Sequence, residues 1–265
     1  MTKVKDVQNR WDERGIAIQK VGVSDVHLPF FIKTKDGSFQ SVLAKIILTV
    51  ELPQQYKGTH MSRFIEILSE WSQKPVSGHE MGCILADTIS RLNAKRAHLD
   101  IGFKYFIEKA APVSGLTSML DFDCLFSASL AKDEPLDFVL GVAAPFTSLC
   151  PCSKEISKYG AHNQRGLMKV KLKQRHGHFI WIEDLAALME TQGSCPVYSL
   201  LKREDEKYVT ERAYENPKFV EDILRDLVLA LRQIQGIQWF EVECENYESI
   251  HNHSAYAQHE EFVGR

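Results

Sequence analysis

The 265-residue sequence lacks the features that mark membrane proteins and nucleic-acid-binding proteins. It has no apolar run of the roughly 18 residues that a membrane-spanning helix needs, and residues 1–15 are polar, unlike a signal peptide. It has no excess of basic residues either, because it contains 32 Lys and Arg residues and 35 Asp and Glu residues, which give a formal net charge of -3. We therefore expect a soluble cytoplasmic protein with no membrane partner and no nucleic-acid partner.

Cysteine is also scarce, and its spacing argues against two kinds of site. Six cysteines scattered over a chain of this length do not form the dense framework of a small disulfide-rich protein. No Cys-x-x-Cys pair occurs, whereas closed structural zinc sites normally take four ligands that often include such pairs. Cys150 and Cys152 are the exception to the scatter. In a reducing compartment, closely spaced thiols more often bind a metal or act in catalysis.

These two thiols lie in the stretch SLCPCSKEISKYGAHNQRG, Ser148 to Gly166. An apolar run of strand length precedes it, and proline ends the run because proline lacks a backbone N–H. Residues i and i+2 of an extended backbone share a face, so we expect the two sulfurs to project to one side at the strand end, where one can hold a metal and the other can face a substrate. His162 follows, and a thiolate with an imidazole is a zinc-like ligand pair, so the pattern favours an open catalytic metal site. The alternative interpretation is two ordinary buried cysteines and a loop histidine.

The periodicity of the chain predicts an α+β protein in which one order of elements occurs twice. After an N-terminal arm (1–25), the first half reads β-β-α-α-β-β, with a turn at Lys35–Ser38 and Thr59 or Ser62 as a helix cap. The second half begins with a strand at 137–149 and contains a long helix that starts with Asn216 as N-cap and Pro217 in its first position. Because the order repeats, we predict two tandem modules, 26–135 and 136–265, with most candidate reactive residues in the second.

Several acidic residues and one histidine in the second half have both a functional and an ordinary explanation. Glu204 lies in a charged connection where nothing favours it over Asp205 or Glu206. Glu221 falls in the first turn of the long helix, where the helix dipole and a pair with Arg225 explain it without any function. Two more candidates precede the last strand, in a stretch that reads equally well as a solvated loop and as a source of general acids or bases: Glu248 and His251.

Four blocks of the sequence resemble GTP cyclohydrolase type IB, the metal-dependent prokaryotic enzyme that opens folate synthesis. The blocks occur in order along nearly the whole chain: KGTHMSRF (57–64), SLCPCSKEIS with GAHNQRG (148–166), ENPKFVED (215–222) and ENYESIHNHSAYA (245–257). The resemblance implies a tunnelling fold of two β-β-α-α-β-β modules whose antiparallel sheets assemble into barrels. It also implies a homotetramer with active sites at subunit interfaces.

The resemblance further implies that GTP and water give formate and 7,8-dihydroneopterin triphosphate. The family pattern makes Cys150, His162 and Glu204 the ligands of one divalent metal, which can be zinc, manganese or iron. Such a metal lowers the pKa of bound water for attack at the purine C8. Glu221 would accept two hydrogen bonds from the guanine edge. The family-matched candidates for proton transfer are Cys152, Glu248 and His251, and those for the triphosphate are Lys57, His60, Arg63, Lys154 and Arg165.

Three other functions stay open at this point. A zinc nucleobase deaminase would use similar ligands, but it requires P-C-x-x-C, whereas this chain has C-P-C. A deazapurine nitrile reductase of the same fold would use one cysteine as a covalent nucleophile with NADPH and no metal. A non-catalytic purine-binding module would bind GTP without turnover.

Overall fold

The computed structural model describes residue 8 and residues 10–264, which fall into two compact units. The first unit holds the described residues up to Phe103 together with Leu125–Leu140, and the second holds Lys104–Cys124 and the described residues from Gly141 onward. Residues 1–7 and 9 of the predicted N-terminal arm lie outside the described residues. The rest of that arm needs a correction, because the first strand begins at Ile18 rather than at residue 26.

The described residues of the first half form five strands and two helices. In chain order they are β1 (Ile18–Lys33), β2 (Phe39–Leu52), α1 (Met61–Trp71), β3 (Pro75–Val76), α2 (Gly78–Leu92), β4 (Arg96–Ala110) and β5 (Thr117–Ala131). Hydrogen bonding orders the strands β3-β1-β2-β4-β5. The β1–β2 and β2–β4 pairs are antiparallel, with Phe30 opposite Val42 and Ile46 opposite Ile101, while β3 runs parallel to β1.

The second half repeats that order with two additions. Its elements are β6 (Asp137–Leu149), α3 (Pro151–Ile156), β7 (Asn163–Gln174), α4 (Ile182–Glu190), β8 (Cys195–Pro196), α5 (Arg203–Glu215), α6 (Val220–Arg232), β9 (Ile237–Asn246) and β10 (Ala255–Phe262). The strands are ordered β6-β7-β9-β10, and β8 pairs with β6. The pairs β7–β9 and β9–β10 are antiparallel. Helices α3 and α5 have no counterpart in the described part of the first half.

Each core forms where the alternating apolar face of the strands meets the apolar stripe of the helices. In β2 the buried residues follow a period of two, from Val42 through Ala44 and Ile46 to Val50, as the pleat requires. Helix α6 buries Val220, Ile223, Leu227, Val228 and Leu231 at helical spacing. Within the described residues no helix has the length and apolar character needed to cross a membrane. The α+β prediction is confirmed.

Three predicted details of the helices are wrong. The N-cap residue of α1 is His60, without a side-chain cap bond, so neither Thr59 nor Ser62 caps it. Residues 203–215, predicted as a connection, form α5, whose apolar stripe is too sparse for periodicity to detect. Helix α6 begins at Val220, because the backbone N–H of Asn216 donates to Arg212 at the end of α5 and its side chain donates to the carbonyls of residues 193 and 194.

Candidate active site

Strand order in the second unit brings several functional candidates to one edge. Strand β7 lies between β6 and β9, and the connection from β6 to β7 is closed by a bond from the Cys150 N–H to the His162 carbonyl at 3.1 Å. Gly166 near the start of β7 pairs with Asn246 at the end of β9. Cys150, His162 and Glu248 therefore all leave the sheet at the same end, although 98 positions separate Cys150 from Glu248 in the sequence.

Cys150 is half-buried and precedes the short helix α3 as its N-cap residue. Its Sγ accepts a bond from the Ser153 N–H at 3.4 Å. The Ser153 hydroxyl donates to the Cys150 carbonyl at 3.2 Å and accepts from the His162 N–H, also at 3.2 Å. Ser153 therefore holds both candidate ligands in place.

The extended backbone from which the same-side projection of Cys150 and Cys152 was predicted ends at Cys150. Pro151 occupies the first position of α3, where a missing N–H costs nothing, so the chain turns into a helix instead of staying extended. The two cysteines therefore do not follow the two-residue alternation of a strand. Cys152 is accordingly exposed while Cys150 is half-buried.

The His162 ring lies between an amide and a carboxylate. Its Nδ1 is 2.8 Å from Oε1 of the buried Gln164 and 3.9 Å from Oε2 of Glu248. The side chains of His162 and Glu248 are 13% and 14% exposed, so both are largely shielded from water. No described residue hydrogen-bonds to Nε2 of His162, which leaves that nitrogen open for a ligand.

The chemistry of this pair fits a divalent metal. A partly shielded thiol and an imidazole whose Nδ1 already has a partner are the donors that zinc-type ions bind. Within residues 10–264, however, no three His, Cys, Asp or Glu side chains are grouped closely enough to hold an ion. The structure thus brings Cys150 and His162 together but does not bring Glu204 to them.

The structure distinguishes the acids that the sequence left equivalent. Asp205 is fully buried and accepts bonds from the Val113 N–H (2.8 Å), the Ser114 N–H (2.9 Å), the Ser114 hydroxyl (2.6 Å) and the Lys202 N–H (2.8 Å). Burial raises the pKa of Asp205, but these bonds outweigh it and hold the pKa well below its usual range. Asp205 therefore anchors the start of α5, whereas Glu204 is exposed.

Glu221 lies in the first turn of α6, as predicted, but it does not make the ion pair that its position suggested. In the first turn of α6, the capping bond from the Phe219 N–H at 3.1 Å goes to Asp222, and Arg225 pairs with Asp222 at 3.3 Å. The expected Glu221–Arg225 pair is therefore absent. No described residue bonds or pairs with the exposed Glu221 carboxylate. The chain just before it is fixed at the site edge, because the Lys218 N–H donates to the Leu149 carbonyl at 3.0 Å.

Two buried amides at this edge were missed in the sequence. Gln164 and Asn246 are 8% and 2% exposed, and both stand in the alternating buried stripes of their strands. Asn246 donates to the Ser148 hydroxyl at 3.0 Å, while its Oδ1 is buried with no partner in the described part of the chain. A polar residue within an apolar period-two stripe is the sequence pattern that can reveal such positions.

The remaining candidates are spread over both units. In the second unit Lys154 donates to the Tyr214 carbonyl at 2.5 Å, Arg165 is exposed, and the His251 ring stacks on His253 at 5.1 Å. In the first unit a pocket of about 210 Å³ is lined in part by His60 and Arg63. Lys57 does not line that pocket.

Comparison with known proteins gives one consistent family. Residues 4–257 match the family described as type I GTP cyclohydrolase folE2. The GTP cyclohydrolase FolE2 of Geobacter sulfurreducens is 54% identical over 252 residues, which cover 95% of this chain and 96% of that protein. The GTP cyclohydrolase FolE2 of Syntrophobacter fumaroxidans is 49% identical over 252 residues, with 95% and 97% covered.

Solved structures give the fold at very low sequence identity. A uricase from Bacillus fastidious superposes with a TM-score of 0.59 at 7% identity, covering 92% of this chain and 93% of that chain. A urate oxidase from Bacillus sp. TB-90 superposes with a TM-score of 0.54 at 9% identity, covering 92% and 100%. At this identity the likeness shows the fold alone, and it confirms the predicted tunnelling fold.

Proposed function

The chain belongs to the type I GTP cyclohydrolase FolE2 family, and on that premise we propose that it converts GTP and water to formate and 7,8-dihydroneopterin triphosphate in tetrahydrofolate biosynthesis. The observation that carries this activity is identity of about half the residues over nearly the full length of proteins with that name. The four sequence blocks that resemble type IB enzymes all lie within the matched residues 4–257, and we assign the chain to that type.

We propose that Cys150 and His162 hold a divalent metal, zinc, manganese or iron, and that Glu204 is the third protein ligand. The hydroxyl of Ser153 bonds to the backbone of both Cys150 and His162, and the open Nε2 of His162 supports its role. Glu204 is preferred to Asp205 because four hydrogen bonds already occupy the Asp205 carboxylate. When bound, the metal supplies a Lewis acid that activates water for attack at the purine C8.

Glu221 is the proposed guanine anchor. Its carboxylate has no partner among the described residues, while the neighbouring Asp222 performs the capping. A free carboxylate can accept bonds from the N1–H and the 2-amino group of guanine at once, and adenine does not offer that pair of donors. Glu221 therefore selects guanine, and the bond from Lys218 to Leu149 holds the start of α6 beside the metal ligands.

Glu248, His251 and Cys152 are the proposed proton-transfer residues for opening and rearranging the ribose. Glu248 is shielded from water and lies beyond hydrogen-bond distance of the His162 ring, so its carboxylate is available to a substrate oxygen. Cys152 is exposed at the start of α3, where a bound substrate can reach its thiol. His251 stands in the turn between β9 and β10.

The triphosphate requires cations, and we propose Lys57, His60, Arg63, Lys154 and Arg165. The pocket that His60 and Arg63 help to line supports two of these assignments. Lys57, Arg63 and Arg165 are exposed, and cationic side chains in these positions would stabilise the phosphates by charge-assisted hydrogen bonds.

We propose a cytoplasmic homotetramer with its active sites at subunit interfaces, built from tandem modules 26–135 and 136–265. The repeated order of elements supports the modules. Ile156 and Tyr159, beside the metal ligands, are 80% and 89% exposed, and a second copy of the chain would cover them. The separation of Glu204 from the other two ligands is a further reason to expect residues from a neighbouring subunit.

The test is formate release from GTP by protein purified without added metal and then stripped of metal, before and after loading with zinc, manganese or iron. We expect negligible release from metal-free protein and restoration by at least one of these ions. A parallel assay of each protein sample contains NADPH and a deazapurine nitrile in place of GTP. Metal-independent oxidation of NADPH, or GTP binding without formate, would contradict the proposal.

A further inference from the structure

We propose that Gln164 is a positioning residue that fixes the tautomer and orientation of the His162 ring, so that Nε2 is presented to the metal. The inference rests on the proposed role of His162 as a metal ligand and assigns a function to a side chain outside the ligand set. Gln164 acts through His162 and does not itself touch the metal.

The first argument is the burial of an amide in an apolar stripe. Gln164 is 8% exposed and shares its face of β7 with the buried Gly166, Met168 and Val170. An apolar side chain would fit this stripe without the cost of removing an amide from water. The amide must therefore be stabilised by hydrogen bonds at this position.

The second argument is the identity of those hydrogen bonds. The Oε1 atom of Gln164 is 2.8 Å from Nδ1 of His162 and accepts from the Ser249 hydroxyl at 3.5 Å. Residues 162 and 164 stand two positions apart at the entry to β7, where the pleat places them on one side. Gln164 therefore joins the candidate ligand to the loop that carries Glu248 and His251.

The third argument is which acceptor the ring uses. Glu248 Oε2 lies 3.9 Å from Nδ1, outside hydrogen-bond distance, whereas the amide oxygen is within it. An amide oxygen only accepts, so the bond selects the tautomer with a proton on Nδ1 and a lone pair on Nε2. The same geometry leaves the Glu248 carboxylate free for substrate.

The test compares cobalt binding by metal-free proteins. Loss of an outer hydrogen-bond partner of a ligating histidine typically weakens metal binding by about 10- to 100-fold. We expect that loss for Gln164→Leu, and recovery to within about threefold of wild type for Gln164→Glu, which keeps an acceptor oxygen. Binding is followed by the thiolate-to-cobalt absorption, and unfolding midpoints of the metal-free proteins are measured alongside.

Gln174→Leu is the matched control. Gln174 is the same residue type at the far end of the same strand, and its Oε1 accepts from the Ile180 N–H at 3.0 Å. Its loss should lower the unfolding midpoint and leave cobalt affinity unchanged. A purely structural role for Gln164 would give the same result in Gln164→Leu and would overturn the inference.

A second readout does not require a metal or a folded leucine variant. In metal-free wild-type protein with ¹⁵N-labelled histidine, the His162 resonances are identified by their absence in His162→Ala. We expect a proton on Nδ1, and a proton on Nε2 would refute the role of Gln164. Undiminished cobalt binding by His162→Ala would instead overturn the proposed ligand set, so the two failures are distinguishable.

Discussion

The first two strands of each half are joined in very different ways. Between β1 and β2 the chain reverses within residues 34–38, where Asp36 accepts from the Ser38 N–H at 3.0 Å and Gly37 has a φ of +86°. Between β6 and β7 the corresponding connection runs from Cys150 to His162 and contains α3. The first connection only reverses the chain, whereas the second holds both candidate metal ligands.

The second addition to the repeated order of elements, α5, also carries a candidate ligand. In the first half Ser77 follows β3 directly and caps α2, but in the second half α5 is inserted between β8 and α6. That extra helix carries Glu204, the proposed third ligand. The comparison teaches that the candidate metal ligands of this chain are located in the segments added to the repeated framework, α3 with its flanking residues and α5.

Substitutions in the β6–β7 connection test this contrast most directly. We expect Cys150→Ala and His162→Ala each to lose metal and to lower GTP turnover by more than about a thousandfold, since a divalent ion missing one of few ligands dissociates. Cys152→Ala should keep the metal and lose turnover. Bound metal, formate release and unfolding midpoints are measured together.

Gly37→Ala is the control in the matching connection of the first half. Alanine at a positive φ should cost about 1 kcal/mol of stability and leave metal content unchanged. The contrast between the two connections fails if Gly37→Ala loses metal, or if the Cys150 and His162 variants keep it.

The two halves also differ at the helices α2 and α6. The first turn of α2 has one acidic residue, whereas that of α6 has two, and Glu221 is the one without a capping bond to any described residue. Glu221→Gln should lower kcat/KM for GTP by about 10² to 10⁴, since an amide turns a donor toward the donors of guanine. Stability should hardly change. Asp222→Asn should instead cost about 1 kcal/mol and keep kcat/KM within a few-fold. The anchor is assigned wrongly if the two effects are exchanged.

Two adjacent acids test whether the inserted α5 has separate structural and functional residues. Asp205→Asn should lower the unfolding midpoint by several degrees, because an amide nitrogen would face the donors of Ser114 and Lys202. Glu204→Gln should leave the midpoint unchanged and reduce metal content. Equal destabilisation by both substitutions would show that α5 uses both acids to hold its position.

The smallest effect is expected at the start of α2, where Glu80 has a structural role alone. Burial raises the pKa of Glu80, but hydrogen bonds from Lys33 and Ser77 outweigh it and lower the pKa to about 2 from 4.5. The unfolded chain therefore takes up the proton first as the pH falls. The contribution of Glu80 is complete above the unfolded value and is lost between about pH 4.5 and 2.

Comparison of wild type with Glu80→Gln by urea unfolding tests this sign. We expect a difference of about 1 kcal/mol at pH 7, typical of a lost helix cap, that shrinks toward zero as the pH falls. A difference that stays constant down to pH 3 would show that the carboxylate charge contributes nothing to capping.

The sequence by itself determined the framework of the protein. The strand predicted at 137–149 is observed as Asp137–Leu149, and the turn predicted at Lys35–Ser38 lies between β1 and β2. Period-two and helical spacing are local properties, so neighbouring residues suffice to reveal them. The same holds for the reactive stretch, because Cys150, Cys152 and His162 lie close together along the chain.

Only the tertiary structure decided which polar residues are structural and which are free. Asp205 could not be told from Glu204, because its donors in Ser114 lie 91 positions away. The sequence suggested an ion pair between Glu221 and Arg225, and only the structure showed that Arg225 pairs with Asp222 instead. Nothing in the sequence singled out Gln164. In the structure its amide oxygen contacts the His162 ring and also Ser249, which lies 85 positions away in the sequence. A hydrogen bond depends on where two groups meet in space, and folding determines this by pairing strands that are far apart in the sequence.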